Sequence, residues 1–271
     1  MKINFFKIFL RTFFLQIFWN YRKMQNIGRW FIVLPVLKNL YKDNPERLKR
    51  ALVRNLDAFN TNPVMSSYSL GAMLKQEETI AHTDLTKLIV EEREWRIISI
   101  STANTAASLG DRLFWATLKP FSLVVLIILL YCVQIYTFKG LDTSPEKILA
   151  AVVAIVVSLL VYNAPALFVR YCGLKDSYNG SEEDFYGLIK LNWNKIIYFL
   201  KTVGQILTFG IFIYSIYINF SGEKLSADLL TRSALLVSFL VLSLWTRKVN
   251  IPNIYLYIVA TLIFCAASLI S

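Results

Sequence analysis

The sequence predicts an all-α polytopic membrane protein, with amphipathic and re-entrant helices on the cytoplasmic side followed by about five transmembrane helices. Three observations carry this prediction. Hydrophobic residues make up 56% of the 271 and charged residues only 17%, well to the apolar side of soluble domains. Five stretches, residues 121–138, 148–169, 196–219, 229–245 and 254–270, are long and apolar enough to cross or nearly cross a bilayer core of about 30 Å, although Lys201, Gly204, Gln205 and Gly210 interrupt the third. The charge is lopsided: residues 1–120 hold 18 of the 29 Lys and Arg but 10 of the 18 Asp and Glu. By the positive-inside rule that half is cytoplasmic. The chain therefore reads as a cytoplasm-facing amphipathic and re-entrant region over 1–120 and a transmembrane region over 121–271. Counting outward, the loops at 170–195 and 246–253 fall inside with Arg170, Lys175, Lys190, Lys195, Arg247 and Lys248, whereas the other two carry only Lys139, Lys147 and Lys224. The N-terminus is expected inside and the C-terminus outside.

The opening "MKINFFKIFLRTFFLQIFW" has the length of a signal peptide, but Lys7 and Arg11 interrupt its apolar run and no small-residue cleavage site follows, so cleavage is not expected. Four residues apart, Lys7 and Arg11 share a helical face, with Phe5, Phe6, Phe9, Phe13, Phe14 and Phe18 over much of the rest. Such a helix fits the lipid headgroup plane or a protein surface. "GRWFIVLPVLKNLY" is too short, and too broken by Pro35, to span. Asn44 and Pro45 then supply an N-cap and a first-turn proline. Leu48, Leu52, Leu56 and Phe59 recur at helical spacing opposite Arg47, Lys49, Arg50 and Arg54, which predicts an amphipathic helix with a solvated basic face. "FNTNP", residues 59–63, ends it.

Residues 64–74 and 97–110 are apolar or small but too short or too rich in Ser and Thr for ordinary spans. They read either as re-entrant segments, which mark a translocation path because irregular backbone at membrane depth needs protein or water around it, or as cytoplasmic helices packed by small faces. The intervening "KQEETIAHTDLTKLIVEEREWR" is charged and helix-prone, and the pairs Glu77/Glu78 and Glu91/Glu92 read as solvated faces.

Enzymatic chemistry finds no footing. His82 is the sole histidine and lies in that charged stretch, and no Walker-type loop, Gly-x-Ser-x-Gly elbow or His-Glu-x-x-His occurs. Cys132, Cys172 and Cys265 lack metal-ligand or redox spacing and read as small core residues. The basic excess is not gathered on a recognition module, so no nucleic acid is implied. "SLGDRLFWATLKP", residues 108–120, is the exception, because a carboxylate and a guanidinium beside Phe114 and Trp115 at a membrane boundary are costly unless paired, hydrated or used. Asp111 fits an acceptor for a polyol or a cap on a helix beginning at Arg112. In "YNAPALFVRYCGL", Pro165 is expected to kink the second span and free carbonyls within reach of Asn163, and Arg170 to anchor the cytoplasmic end.

These residues resemble, in collinear blocks, the IID subunit of the mannose/fructose/sorbose family of the bacterial phosphoenolpyruvate:sugar phosphotransferase system. The blocks are "WNYRKMQNIG" (19–28), "FNTNP" (59–63), "LGAMLKQEE" (70–78), "GDRLFWATLKP" (110–120), "NAPALFVRYCGL" (163–174) and "WTRKVNIPNIYL" (245–256), of which the first and fourth are the most specific. The resemblance implies a non-catalytic transport subunit of the bacterial inner (plasma) membrane, paired with a IIC subunit in a trimer of IIC–IID heterodimers. The complex would move a hexose inward for phosphorylation by IIAB, with membrane lipid around it, no cofactor, no metal and no phosphorylated residue on this chain. It further implies re-entrant hairpins and an N-terminal amphipathic helix. Candidates for the sugar path or the IIC contact are Asn60, Asn62, Gly110, Asp111, Arg112 and Asn163. Two departures stand out: the family's Gly/Pro-rich run before its Gly-Asp is here "TANTAASLGD", and Arg112 replaces a small polar residue. Fewer glycines and prolines make residues 102–109 less free to turn sharply, so a straighter hairpin is expected. A diverged regulatory or scaffold member without transport is the alternative.

Overall fold

The computed structural model of the chain describes residues 3–133, 136–137, 140–141 and 144–222. The spans expected at 229–245 and 254–270 lie outside the described residues. The chain divides into two compact units, Met1–Ile206 and Leu207–Ser271, and the packing below is that of the first. In order come α1 (Phe5–Thr12), α2 (Asn26–Leu40), α3 (Pro45–Arg54), α4 (Ser66–His82), α5 (Leu88–Gly110), a π-helical segment (Asp111–Leu118), α6 (Lys119–Val133), a two-residue antiparallel strand pair at Tyr136–Thr137 and Gly140–Leu141, α7 (Pro145–Asn179) and α8 (Trp193–Gly222).

Local sequence explains the short helices. Asn4 accepts the Lys7 N–H at the start of α1. Ile8 and Thr12 turn inward while Phe6, Leu10, Phe13 and Phe14 stay exposed, and Arg11 donates to the Phe31 carbonyl at 2.8 Å. The helix thus rests on α2 and α7 of its own chain and presents a separate aromatic face outward. Pro35 sits inside α2 without ending it, and Ile32, Val33, Val36 and Leu37 are buried there. At α3 the expected cap is present: Asn44 accepts the Arg47 N–H and Pro45 holds the first position.

Three helices among the described residues are long and apolar enough to span: the continuous run Leu88–Val133, then Pro145–Asn179 and Trp193–Tyr214. They contain or overlap the first three expected spans, but the first and second extend well beyond them. α5, the π segment and α6 form one run of 46 residues, about 69 Å at 1.5 Å per residue. The divide drawn at residue 120 passes through it. No helix begins at Arg112, so Asp111 is not an N-cap. The run continues because the polar residues of 104–112 gather on one face: Asn104, Ser108, Asp111 and Arg112 are exposed while Ala103, Ala106, Gly110, Leu113 and Phe114 point inward. A helix with polar residues on one side has no reason to stop. The π segment ends in the i to i−5 backbone bond from the Lys119 N–H to the Phe114 carbonyl, and the Thr117 hydroxyl also donates to the Arg112 carbonyl at 2.6 Å.

α4 is the central element, lying along α5 and α7. Small residues set the approach to α7. A Cβ on Gly71 would stand 2.6 Å from the Leu174 carbonyl oxygen, and one on Gly173 2.5 Å from the Tyr68 ring. The Ser177 hydroxyl donates to the Tyr68 carbonyl. Where lipid tails are as apolar as leucine, such close backbone packing, rather than burial, holds helices together. The outer face of α7 carries exposed Val152, Val153, Val156, Leu159 and Leu160, as a lipid-facing surface does. α7 also runs unbroken through Pro165, and the Asn163 amide donates to the Leu159 carbonyl at 2.8 Å, one turn behind itself rather than to the Val161 carbonyl opposite the proline. Arg170, expected near the cytoplasmic end of this span, is buried, its guanidinium 4.5 Å from the centre of the Phe13 ring.

Candidate functional site

The loop before α4 and the end of α5 form a polar corner. Asn62, nearly fully buried, accepts the backbone N–H of Val64 at 3.1 Å and of Met65 at 3.4 Å, which starts α4. Its amide nitrogen donates to Asp111 Oδ1 at 3.0 Å. Gly110 makes this possible, since a Cβ there would come 2.4 Å from the Asn62 Cβ. Asp111 is exposed, and among the described residues its Oδ2 accepts no hydrogen bond. The corner therefore offers one fixed carboxylate oxygen, and one open to water or to a hydroxyl-bearing ligand.

Residues not singled out from the sequence hold the loop in place. Gln25 and Thr61 exchange two hydrogen bonds, Gln25 Nε2 to the Thr61 carbonyl at 2.9 Å and the Thr61 N–H to Gln25 Oε1 at 3.1 Å. The Thr61 hydroxyl donates to the Ala103 carbonyl at 2.9 Å, joining the loop to α5. The Gln25 N–H meets the Phe59 carbonyl at 2.8 Å.

The structure brings three of the six candidates, Asn62, Gly110 and Asp111, into one place. Arg112 points elsewhere and donates to Asn194 Oδ1 at 3.0 Å, tying the π segment to the start of α8. Asn60 is exposed on the loop. Asn163 bonds within α7 and makes no hydrogen bond to the corner.

Toward the far end of α4 lies an ion network that corrects the sequence reading at Arg54 and Glu77. Both were placed on solvated faces; their side chains are 5% and 1% exposed and form a bidentate pair, Nε to Oε1 at 2.9 Å and Nη2 to Oε2 at 2.6 Å. Tyr41 donates to Glu77 Oε2 at 2.8 Å and Asn55 Nδ2 to Oε1 at 2.8 Å, so three side chains converge on the buried carboxylate with four hydrogen bonds. Arg54 also reaches Glu92 Oε1 at 2.8 Å, and Arg50 makes two bonds to Glu92. A carboxylate at this depth is tolerable because its charge is matched and its lone pairs are filled. Burial disfavours the Arg54 charge, yet the bonds to Glu77 outweigh it and hold its pKa above the usual range. Burial, reinforced by the Glu77 charge, pushes the Tyr41 hydroxyl well above its usual value.

Among the described residues Arg29 has no carboxylate in hydrogen-bond contact. It donates to the carbonyls of Asn55 and Asp57 at 2.8 to 3.0 Å and more weakly to that of Arg54, closing the negative end of α3, with the Phe59 ring 4.8 Å and the Trp95 ring 5.6 Å from its guanidinium. Burial brings it down to about 10. The sequence held a signal for Glu77: Leu70, Met73, Leu74 and Ile80 are spaced for one helix stripe and Glu77 falls on it. A carboxylate amid an apolar stripe requires a buried partner.

Among the described residues no group of three or more His, Cys, Asp and Glu is disposed to hold a metal ion. His82 is exposed at the end of α4.

Comparison with known proteins places this geometry in a family. The mannose-specific EIID component of the phosphotransferase system of Escherichia coli K12 is 33% identical over 113 residues, covering 42% of this chain and 38% of that protein. The fructose permease IID component of Bacillus subtilis 168 is 29% identical over 119 residues, 44% of this chain and 42% of its own. A sorbose-specific EIID component of Klebsiella pneumoniae is 26% identical over 115 residues, 42% and 40%. The matched segment thus spans about two fifths of each of these relatives. In solved structures, a chain of the mannose transporter ManYZ in complex with microcin E492 aligns over 100% of this chain and 98% of its own at TM-score 0.50 and 20% identity. A structure described only as a membrane protein aligns over 97% and 95% at TM-score 0.63 and 19% identity; at these identities the likeness is one of fold. The sequence profile of the phosphotransferase-system mannose/fructose/sorbose family IID component matches residues 1–270, and with the fold and sequence matches agreeing, this chain belongs to that family.

Proposed function

We propose that this chain is the membrane-embedded IID subunit of a sugar permease, pairing with a IIC subunit to admit a hexose that IIAB phosphorylates. On this reading it is non-catalytic, sits in the bacterial plasma membrane with its N-terminus in the cytoplasm, and assembles as a trimer of IIC–IID heterodimers. The observation that carries the proposal is the Asn62–Gly110–Asp111 corner. A carboxylate oriented by a buried amide, with one oxygen open, stands at the turn of helix that leads into the apolar run of α6. That chemistry suits a neutral polyol or a polar group on the IIC surface. Asn60, Arg112 and Asn163 are proposed as further contacts to either. The test is uptake of labelled mannose, fructose and glucose in cells lacking their own hexose permeases, expressing IIC and IIAB with and without this chain. Uptake that depends on the chain supports the reading. No uptake of any of the three, despite a IIC–IID complex in the membrane, counts against it.

A second reading, a IID-like regulator or scaffold without transport, is favoured by one observation. α5 is regular helix through residues 102–109, the straightness expected from the loss of glycine and proline. The uptake experiment separates the two readings.

A further inference from the structure

The first turns of α5 and one face of α3 enclose a groove of about 530 Å³, and its walls are basic. Lys49, Arg50, Arg93 and Arg96, with Arg54 at the back, oppose only Glu46 and Glu92. The carboxylates do not quench this field. Glu92 is shared between Arg50 and Arg54, Asp57 lies at the rim 3.4 Å from Arg96, and neither Lys49 nor Arg93 has a hydrogen-bonded or ionic partner among the described residues. Val53 and Ile89, 62% and 75% exposed, stand among the cations. Exposed apolar side chains ringed by charged ones, arginines among them, match the layout of a protein-binding patch with a polar rim, and the Arg54–Glu77–Tyr41 network behind it keeps the walls in a fixed shape.

The groove's distance from the membrane selects the kind of partner. The helical run that forms one wall has 46 residues, a contour of about 69 Å at the α-helical rise, against about 40 to 45 Å for a bilayer including its headgroups. A straight run of that contour tilted by as much as about 40° projects about 53 Å along the membrane normal. Its apolar end is α6, so the end left outside is the one that carries Ile89, Glu92, Arg93 and Arg96. From this we infer that the groove docks an acidic face of a soluble protein rather than lipid headgroups. Resting on the permease reading above, the occupant is the phosphoryl-transfer partner, held here while it serves the sugar path. Like-signed cations on a preformed surface steer such an encounter and set its salt dependence.

The test uses the full chain co-purified with IIC in phosphatidylcholine nanodiscs, with purified IIAB as the probe, from about 50 to about 300 mM salt. The expected result is binding that weakens with salt, falls about tenfold in Lys49→Glu/Arg93→Glu, and falls less in Lys49→Gln/Arg93→Gln. Both positions are solvated, so unchanged melting and elution show that the variants are folded. Equal binding by wild type and the charge-reversed variant overturns the inference while leaving the permease reading intact. Unchanged IIAB binding together with loss of co-purifying anionic lipid assigns the groove to lipid, and also overturns it. If wild type binds no IIAB and uptake does not require the chain, the permease reading fails and takes this inference with it.

Discussion

The α2–α3–α4–α5 cluster and the α4–α7 seam are both close-packed, but by opposite means. In the first, charge is brought inside: Arg29, Arg54, Glu77 and Tyr41 meet where α2, α3 and α4 converge, and every bond cited joins residues distant in sequence. In the second, side chains are removed: Gly71, Gly173, Ser67 and Ser177 let two helix backbones approach, and the outward side of α7 is plain aliphatic. The difference teaches what each environment demands. A polar cluster specifies one geometry, because any other leaves a charge unmatched. A small-residue seam specifies closeness alone and leaves lipid to cover the rest.

That contrast predicts unequal damage. Glu77→Ala strands the buried Arg54 guanidinium and is expected to cost about 3 to 5 kcal/mol, seen as loss of monodisperse protein from solubilised membranes. A variant that purifies and melts like wild type would show that the cluster is not what fixes this region. Gly173→Val, which drives a side chain against the Tyr68 ring, should cost about 1 to 3 kcal/mol and lower the melting temperature while the Arg54–Glu77 cluster stays formed. Equal melting would mean that α7 shifts freely along α4. Asp111→Asn retains an acceptor for Asn62, so it should change melting by no more than about 0.5 kcal/mol while reducing chain-dependent uptake if the carboxylate is used; wild-type uptake at equal membrane level removes Asp111 from the sugar path.

The smallest effect is alkaline. A tyrosine whose folded pKa is raised binds its proton more tightly when folded, so its stabilising share is complete below the ordinary value of about 10 and is lost as pH climbs above it. Tyr41→Phe should therefore flatten part of the decline in melting temperature above that pH. An identical alkaline slope would show that Tyr41 ionises as it does in water. Arg29, lowered to about 10 by burial, works the other way, since loss of its proton relieves a buried charge; the slope seen in Tyr41→Phe is the part that remains.

These outcomes bear on what was readable beforehand. Asn44 and Pro45 announced α3 because capping is local, and the first three apolar runs announced the three long apolar helices among the described residues because length against bilayer thickness is a property of the chain alone. Arg54 and Glu77 were misread because their pairing is settled by how α3 crosses α4, across 23 residues, and helical periodicity places Arg54 among cations that do face water. The corner was half legible. Asn62, Gly110 and Asp111 were named for their chemistry, but only the fold shows that they touch, that Arg112 leaves for Asn194, and that Gln25 and Thr61 brace the loop. The helix through Asp111 went unseen because a polar pair before an apolar run marks an interface by composition, whereas helix continuity depends on which side those polar groups face.

The 46-residue run from Leu88 to Val133 has a mechanical meaning as well. A rod of about 69 Å converts angle into distance, so a rotation of about 5° about its α6 end carries the α3-facing end through about 6 Å, the width of a side chain. The Asn62–Asp111 corner lies near the middle of that rod and travels roughly half as far. On a run of this length any tilt about the α6 end displaces the α3-facing end more than the corner, because displacement grows with distance from the pivot.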